Sequence, residues 1–378
     1  MRPSPGLCFS RAWKTDWLVR RECPVMDAPL KIEKLLWRGR GLARRDSGKV
    51  VMVEPGALPG ELVRVRVLKE GKDHDQAEVR EIVEAHPARR PHPCHHSPDC
   101  GGCRFGVVDS RAALDIKQAI LTDALARAGR RVLAETADTS LTVVPSPASW
   151  RYRHRVQVHV RSGRPHFLAL GSDRAVPLDD CPLMSQALNR DLAELSGRLD
   201  DGRVCLASSP ADGVTAAETD QTPLRLPYPG FGLELRVPAR CFFQANWELN
   251  TVLVHKVDEA LADCERVADL YAGTGNFALP LATKKREILA VEGSTASAEV
   301  GQVNALNLGL DRVRFVQGNL SKAQAWAGVH NFRAEAAVID PPRAGGRAAA
   351  SHLAALDGLR RVIWVSCDIV NTCRDLMP

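Results

Sequence analysis

Three cysteines stand close together in the segment PHPCHHSPDCGGCRF, where Cys94, Cys100 and Cys103 follow the spacing C-x5-C-x2-C. The segment offers almost no apolar side chains against which a thiol would pack, so we interpret it as a metal site. Four thiolates suit either zinc or a four-iron cluster, and the spacing alone does not separate the two. The fourth ligand is not adjacent, and its candidates are Cys181, His92, His95 and His96.

A further thiol, that of Cys367 in IWVSCD, follows an apolar strand-like run and precedes a helical segment. The partial positive charge at a helix N-terminus favours a thiolate, which is the reactive form of cysteine. A cysteine at a strand exit is often a packed core residue, but the neighbouring strand exits of this chain also carry polar residues or glycine. We therefore predict that Cys367 is a nucleophile.

A glycine turn lies in VADLYAGTGNFALPLA, between an apolar strand and the opening of a helix. Gly273 and Gly275 carry no Cβ, so the backbone N–H groups of such a turn are open to a ligand. The spacing Gly-x-Gly-Asn, which ends at Asn276, lacks the third glycine of the dinucleotide fingerprint and disfavours a nicotinamide cofactor.

Strand-like and helical segments alternate through the last third of the chain, which predicts an α/β fold with a parallel sheet and helices on both faces. The strand-like segments are Val267 to Tyr271, Ile288 to Glu292, Val313 to Gln317, Ala336 to Asp340 and Val362 to Ser366. Ligands of such sheets bind beyond the carboxyl ends of the strands, where Glu292, Asn319 and Asp340 fall. Glu292 stands about where a carboxylate would accept hydrogen bonds from a ribose, which predicts a nucleoside cofactor. Asp340 opens DPPRAGG, a rigid loop suited to holding a planar base.

The composition is that of an ordinary soluble protein, with 45% hydrophobic and 25% charged residues among 378, enough for two or three domains. No apolar run is long enough to span a bilayer. Residues 1–26 carry no apolar core of a signal peptide, so we interpret them as a disordered or mis-started extension of a cytoplasmic protein.

Most of the net charge of +6 lies in the first 110 residues, which fits a nucleic-acid partner or a solvated surface equally well. Residues 27–88 alternate apolar and polar positions between Gly and Pro turns, which predicts a small β-barrel. Barrels of this size commonly bind single-stranded nucleic acid. The alternative is a barrel whose arginines are simply solvated.

Residues 89–236 read as the cysteine loop, a helix over Ser110 to Arg131 and a β-rich region from residue 141. Within it, WRYRHR at residues 150–155 interleaves aromatic and basic side chains, as the recognition of unstacked RNA bases requires. The alternative is an edge strand with solvated charges. Residues 237–378 begin with an apolar helical stripe over Gln244 to Ala262 and contain the predicted sheet.

Several motifs together resemble one family, the RNA uracil-C5 methyltransferases that use S-adenosylmethionine. They are C-x5-C-x2-C with a distant Cys181, FFQAN, DLYAGTGNF, VEG, QGN, DPPRAG and VSCD, in the family's order, over residues 27 to 376. The resemblance implies a class I, Rossmann-like methyltransferase domain preceded by an OB-like TRAM barrel and a β-rich central domain. The combination of a TRAM barrel and a cysteine cluster resembles the branch that acts on 23S ribosomal RNA.

The resemblance also implies roles for individual residues. It implies a 4Fe-4S cluster on Cys94, Cys100, Cys103 and Cys181. Together with the glycine turn described above, the resemblance implies that eight residues contact the cofactor, namely Gln244, Tyr271, Gly273, Gly275, Asn276, Glu292, Asn319 and Asp340. Cys367 would attack C6 of uracil so that C5 can accept the methyl group, which requires a base outside its stack in an RNA loop or bulge.

Two departures from the family pattern qualify these expectations. VSCD replaces the usual VSCN, and the sequence lacks the C-terminal FPxTxHxE motif that carries the family's general base. We expect a truncated enzyme, monomeric and without membrane contact, that binds the cofactor and forms the Cys367 adduct without efficient release. Rapid multiple turnover would contradict this expectation. The alternatives are a transfer-RNA enzyme and a catalytically silent RNA-binding protein.

Overall fold

The computed structural model describes residues 28–97, 99–128 and 141–376, which form two compact units divided between Pro87 and Ala88. The predicted extension, residues 1–26, lies outside the described residues. None of the described helices is both long and apolar enough to cross a membrane.

The first unit is a six-stranded sheet in the order β1-β5-β6-β4-β3-β2. Its strands are β1 (Leu30–Lys31), β2 (Lys34–Leu35), β3 (Gly41–Arg44), β4 (Val50–Val53), β5 (Leu62–Lys69) and β6 (His74–Glu84). β1 and β2 are two halves of one short segment that pairs with β5 on one side and with β3 on the other, so the sheet closes on itself. Alternate residues of β5 fill its interior, among them Val63, Val65 and Val67.

Charged side chains pair on the outer face of β5, where the sequence suggested a basic surface. Arg64 and Arg66 lie 3.1 Å and 2.6 Å from Glu81 and Glu78 of β6. These carboxylates neutralise part of the positive field that the arginines would otherwise offer to a phosphate backbone.

The second unit begins with the cysteine loop and α1 (Ser110–Ala128), then forms a five-stranded sheet in the order β11-β10-β7-β8-β9. These elements are β7 (Arg155–Arg161), β8 (Arg164–Leu168), β9 (Ala175–Pro177), α2 (Gln186–Gly197), β10 (Gly202–Ser208) and β11 (Thr215–Ala217). Val156, Val158 and Val160 of β7 pack with Leu188 and Leu206 in the core of this sheet. The hairpin β12 (Pro223–Tyr228) and β13 (Leu233–Pro238) connects it to the last domain.

The C-terminal domain is a five-stranded parallel sheet in the order β16-β15-β14-β17-β18, as the alternation predicted. Its elements are α3 (Trp247–Ala260), β14 (Arg266–Leu270), α4 (Ala278–Ala282), β15 (Glu287–Glu292), α5 (Thr295–Asn307), β16 (Val313–Gln317), α6 (Trp326–Phe332), β17 (Ala336–Ile339), α7 (Arg347–Ala354), β18 (Arg361–Trp364) and α8 (Ile369–Asp375). The central strands are apolar and buried on both faces, as a sheet covered by helices requires. α3 starts later than predicted because the Asn246 side chain accepts a hydrogen bond from the Leu249 N–H (3.1 Å) and caps the helix.

Candidate active site

The glycine turn connects β14 to α4 at the carboxyl edge of the sheet. Gly273 and Gly275 have φ angles of 58° and 96°, in the left-handed region that favours glycine. A Cβ on Gly275 would lie 2.7 Å from Leu279 Cγ, so the turn packs tightly against α4 at that residue. A Cβ on Gly273 would meet no atom within 4 Å, so this glycine faces open space. Tyr271 also has a left-handed φ of 64°, which is strained for a residue with a side chain.

A cleft of about 420 Å³ lies beside this turn, and we call it the cofactor cleft. Five predicted cofactor residues line it, namely Gln244, Tyr271, Gly273, Asn276 and Asp340. It also contains side chains that the sequence reasoning missed, namely Leu226, Tyr228, Phe242, Phe243, Trp247, Ala272, Thr274 and Phe277. Most of these belong to FFQANW or to the glycine turn, so their motifs could have indicated them. Tyr228 belongs to no motif and comes from the hairpin.

Three predicted cofactor residues, Glu292, Asn319 and Gly275, lie outside the lining of the cleft. The Glu292 carboxylate accepts hydrogen bonds from the N–H groups of Gly273 (2.8 Å) and Ser294 (2.7 Å). Asn319 accepts from the backbone and hydroxyl of Ser321, in the turn after β16. Gly275 packs against α4.

The amide of Asn276 belongs to a buried network. Its Oδ1 accepts from the Tyr228 hydroxyl (2.9 Å) and from Asn250 Nδ2 (2.8 Å), and its Nδ2 donates to Asn250 Oδ1 (3.1 Å). Tyr228 and Asn250 are almost completely buried. Because a half-satisfied polar network is costly in a core, this one fixes the orientation of Asn276.

Carboxylates crowd the strand ends under the cleft. Burial raises the pKa of Asp340 to about 6, and its Oδ2 lies 3.4 Å from Gln244 Nε2. Burial, together with the charges of Asp340 and Glu292, raises the pKa of Asp269 to about 7, against a hydrogen bond from the Ala278 N–H (2.8 Å) that lowers it. A ligand that carries positive charge would relieve this repulsion.

Cys367 lies beyond β18, exposed, in a second cleft of about 210 Å³. The opposite wall is formed by residues 341–346, which we call the proline loop. Asp368 caps α8 by accepting from the N–H groups of Val370 (3.1 Å) and Asn371 (3.2 Å), so Cys367 precedes a helix N-terminus as the sequence suggested. The paired strands β17 and β18 end at Ile339 and Trp364, so Asp340 directly follows β17 and Cys367 lies three residues past the end of β18, at the same edge of the sheet.

The cysteine loop docks on the β8–β9 hairpin, where Cys100 forms an isolated bridge with Ala169. All four predicted ligands, Cys94, Cys100, Cys103 and Cys181, line one cavity of about 820 Å³. Burial raises the pKa of the Cys100 and Cys103 thiols, and nearby cysteines raise it further. A cationic group that several thiolates share would offset both effects.

The backbone of Cys181 is held firmly although it lies far along the chain from the loop. Its N–H donates to Asn189 Oδ1 (2.8 Å), and its carbonyl accepts from Asn189 Nδ2 (3.1 Å) and Arg151 Nη1 (3.2 Å). Arg151 is itself paired with Asp180 through two hydrogen bonds. The fourth thiol is therefore presented by a preorganised turn.

The histidines considered as alternative ligands separate into two groups. His92 lines the cavity, and its Nδ1 accepts from the Cys94 N–H (2.9 Å). His95 and His96 group with Asp179, with ligand atoms within 4.8 Å of one another, although His96 also lines the cavity.

Comparison with known proteins decides the family. A family model described as tRNA (Uracil-5-)-methyltransferase matches residues 217–377. The 23S rRNA (uracil(1939)-C(5))-methyltransferase RlmD of Halomonas elongata is 33% identical, over 92% of this chain and 82% of the relative. The RlmD protein of Pseudomonas putida is 32% identical, over 92% of this chain and 86% of the relative.

The chain belongs to the RNA uracil-C5 methyltransferase family. It is an enzyme of the class that transfers a methyl group from S-adenosylmethionine to C5 of uracil. The structure of Pyrococcus abyssi tRNA (uracil-54, C5)-methyltransferase in complex with S-adenosyl-L-homocysteine has the same fold, with a TM-score of 0.70, 18% identity and coverage of 92% of both chains.

The matched region of this methyltransferase contains both clefts. Residues 217–377 include the hairpin with Tyr228, the glycine turn, the proline loop and Cys367. The cysteine cavity and the unit of residues 28–87 lie outside it, so their roles depend on other observations.

Proposed function

We propose that this methyltransferase modifies C5 of a uridine in 23S ribosomal RNA through a covalent adduct on Cys367. The observation that carries the proposal is an exposed thiol just past β18, in a cleft lined by the loop that follows Asp340 and the paired strand β17. The RlmD relatives, which cover most of this chain, support the ribosomal substrate.

The chemistry requires a thiolate because C5 of uracil is a poor nucleophile. The Cys367 sulfur forms a bond to C6, and the electron pair of the C5–C6 double bond moves into an enolate at C5 and O4. C5 then takes the methyl group, and the electron pair of the broken S–CH3 bond stays on the former sulfonium sulfur. Removal of the C5 proton by a base restores the double bond and expels the thiolate.

The charge of the methyl donor suits the lining of the cofactor cleft. S-adenosylmethionine carries a sulfonium and an ammonium group, and the cleft has Asp340 in its lining with Asp269 and Glu292 close by. We assign cofactor contacts to Gln244, Tyr271, Gly273 and Asp340. Glu292 has acceptor capacity left for a ribose hydroxyl, since each carboxylate oxygen accepts more than one hydrogen bond. Asn276, Gly275 and Asn319 would act by shaping the turns around the donor.

The cysteine cavity supports a 4Fe-4S cluster on Cys94, Cys100, Cys103 and Cys181. Among the described residues, the only group of three or more possible ligands within 4.8 Å of one another is that of His95, His96 and Asp179. No three of the cysteine sulfurs are that close, whereas one zinc ion would hold all four about 3.8 Å apart. The wider spacing favours a multi-atom cluster. Anaerobic purification with iron and sulfide analysis tests this, and one zinc per chain with no iron would refute it.

RNA contact is assigned to features of each unit. The closed sheet of residues 28–87 is proposed as the TRAM module. At the mouth of the cofactor cleft, Phe242 is 60% exposed, and the Arg155 guanidinium lies 5.4 Å from its ring. An exposed aromatic ring beside an arginine suits an unstacked base and its phosphate in a loop or bulge. We propose that the enzyme acts as a monomer.

The decisive experiment measures transfer of a labelled methyl group to a 23S ribosomal RNA fragment and to transfer RNA. We expect label on C5 of uridine in the ribosomal fragment, none after Cys367→Ala, and retained cofactor binding in that variant. Preferential labelling of transfer RNA would redirect the substrate assignment, and labelling by C367A would remove Cys367 from the reaction.

A further inference from the structure

Helix α8 starts directly after Cys367 and directs side chains toward the proline loop opposite. Asn371 Nδ2 donates to the carbonyl of Arg343 (3.1 Å), and Arg374 Nη2 donates to the carbonyl of Ala344 (3.4 Å). Both contacts are made to loop backbone, so they constrain its path whatever side chains the loop carries.

Asp375 makes the strongest of these contacts. It is 3% exposed, and its Oδ2 accepts from the Gly346 N–H at 2.7 Å. Its Oδ1 accepts from Arg374 Nε (3.0 Å) and Nη2 (2.7 Å), so a buried carboxylate is paired on both oxygens. Gly345 has φ +99°, and a Cβ there would lie 2.2 Å from Asp375 Oδ2, so the loop approaches this carboxylate as closely as glycine allows.

Asp375 lines one cleft and acts electrostatically on a residue of the other. Asp375 lines the Cys367 cleft. Burial and then the negative charge of Asp375 raise the pKa of Tyr271, which lines the cofactor cleft, so the carboxylate also lies within electrostatic reach of that site. Ser366 and Cys367 themselves are exposed, so core packing does little to fix the link between β18 and α8.

We propose that Asp375 is a positioning residue that ties the proline loop to α8 and thereby fixes the Cys367 thiol relative to the bound methyl donor. This inference rests on the proposed function, since it assigns the geometry of the same site. Losing the carboxylate releases the loop at Gly346 and leaves Arg374 without its main partner. The thiol then samples positions from which it does not reach C6 while the donor is in place, and the rate of the first covalent step falls.

The test compares Asp375→Ala with Asp375→Asn, which keeps an oxygen that accepts from Gly346. Asp357→Ala, at an exposed residue of the same domain, serves as the matched control. Hydrogen exchange of the peptide covering residues 341–347 reports on the tie directly and needs no RNA. We expect at least tenfold faster exchange in D375A, and exchange within threefold of wild type in D375N and D357A.

The consequence for chemistry is measured as the rate of covalent adduct formation with RNA that contains 5-fluorouridine, whose fluorine blocks release. We expect this rate to fall at least tenfold in D375A and to recover to within threefold in D375N, with cofactor affinity changed less than threefold in both. Wild-type exchange in D375A, or a D375N variant as slow as D375A, would overturn the proposal. If D375A fails to fold, Arg374→Ala supplies the same comparison with an intermediate loss expected. If wild type forms no adduct, the proposed function fails, and the exchange data alone decide whether the tie exists.

Discussion

Binding of S-adenosylmethionine is expected to weaken about tenfold when the pH falls from 8 to 5, because Asp340 must be ionised to attract a cation. The pKa of Asp340 is raised to about 6 by burial. At pH 5 only about one molecule in eleven carries the charge, and the apparent dissociation constant rises in inverse proportion to this ionised fraction. Below pH 6 the logarithm of the dissociation constant should therefore change by about one unit per pH unit, and it should level off above about pH 7.

Isothermal titration calorimetry at half-unit intervals between pH 5 and pH 8 measures this profile. Asp340→Asn should remove the slope and bind about ten to a hundredfold more weakly than wild type at pH 8, the loss of one charge-assisted contact. At pH 5 the difference in affinity between the two proteins should be up to about tenfold smaller than at pH 8. Asp269→Asn is the control for the second buried carboxylate, and it should keep the slope. A flat wild-type profile, or an unchanged slope in D340N, would show that Asp340 does not face the donor's charge.

Four further outcomes are expected. Asp269→Asn should flatten the fall of Tm between pH 5 and pH 8. The pKa of Asp269 is raised to about 7 in the folded state, so the folded state loses up to about 4 kcal/mol of stability as the pH rises above the pKa of the unfolded state, near 4. A Tm profile of the variant parallel to that of wild type would contradict this. Gly275→Ala should destabilise the protein by about 1–3 kcal/mol in denaturant titrations, because φ is +96° and the added Cβ would clash with Leu279, and an unchanged midpoint would show that the turn relaxes. Phe242→Ala should weaken RNA binding about five to a hundredfold in filter binding while cofactor affinity stays constant. Equal losses of RNA affinity and cofactor affinity would show that Phe242 only lines the cofactor cleft. Cys100→Ala should lower the iron content and the Tm, whereas Cys205→Ala, a buried cysteine in β10, should lower only the Tm.

The parallel sheet could be predicted from the sequence because each of its strands is short, apolar and followed by a turn residue with a distinct chemical type. All five strand bounds agree within two residues; Asp340 directly follows β17 as expected, whereas Cys367 lies three residues past the end of β18. Cys94, Cys100, Cys103 and Cys181 line one cavity, as expected from the sequence. The cysteine spacing did not indicate that the loop would dock on the β8–β9 hairpin.

The sequence did not indicate the contacts that distant segments of the chain make with one another. Tyr228 reaches Asn276 from a hairpin that carries no motif, and Asn250 completes the network from α3. Glu292 and Asn319 fell at strand ends as predicted, yet Glu292 supports Gly273 and Asn319 closes its own turn. Strand-end position predicts which edge of the sheet a side chain occupies, but rotamer and local hydrogen bonds decide whether it faces the ligand.

In the proposed reaction the two clefts form one reaction space, connected by the chain that runs from Asp340 into the proline loop. The first residue of this loop, Pro341, follows Asp340 at the wall of the cofactor cleft, and its last, Gly346, is held by Asp375, which lines the Cys367 cleft. The two prolines have no N–H to donate, and the loop has one internal backbone bond, from the Gly345 N–H to the Pro342 carbonyl (2.8 Å), so its order also depends on its ends and on α8. A methyl transfer between groups on opposite sides of such a loop depends on where its ends are fixed. Mutations at Gly345 or Gly346 should therefore impair the adduct step more than donor binding, because neither residue lines the cofactor cleft.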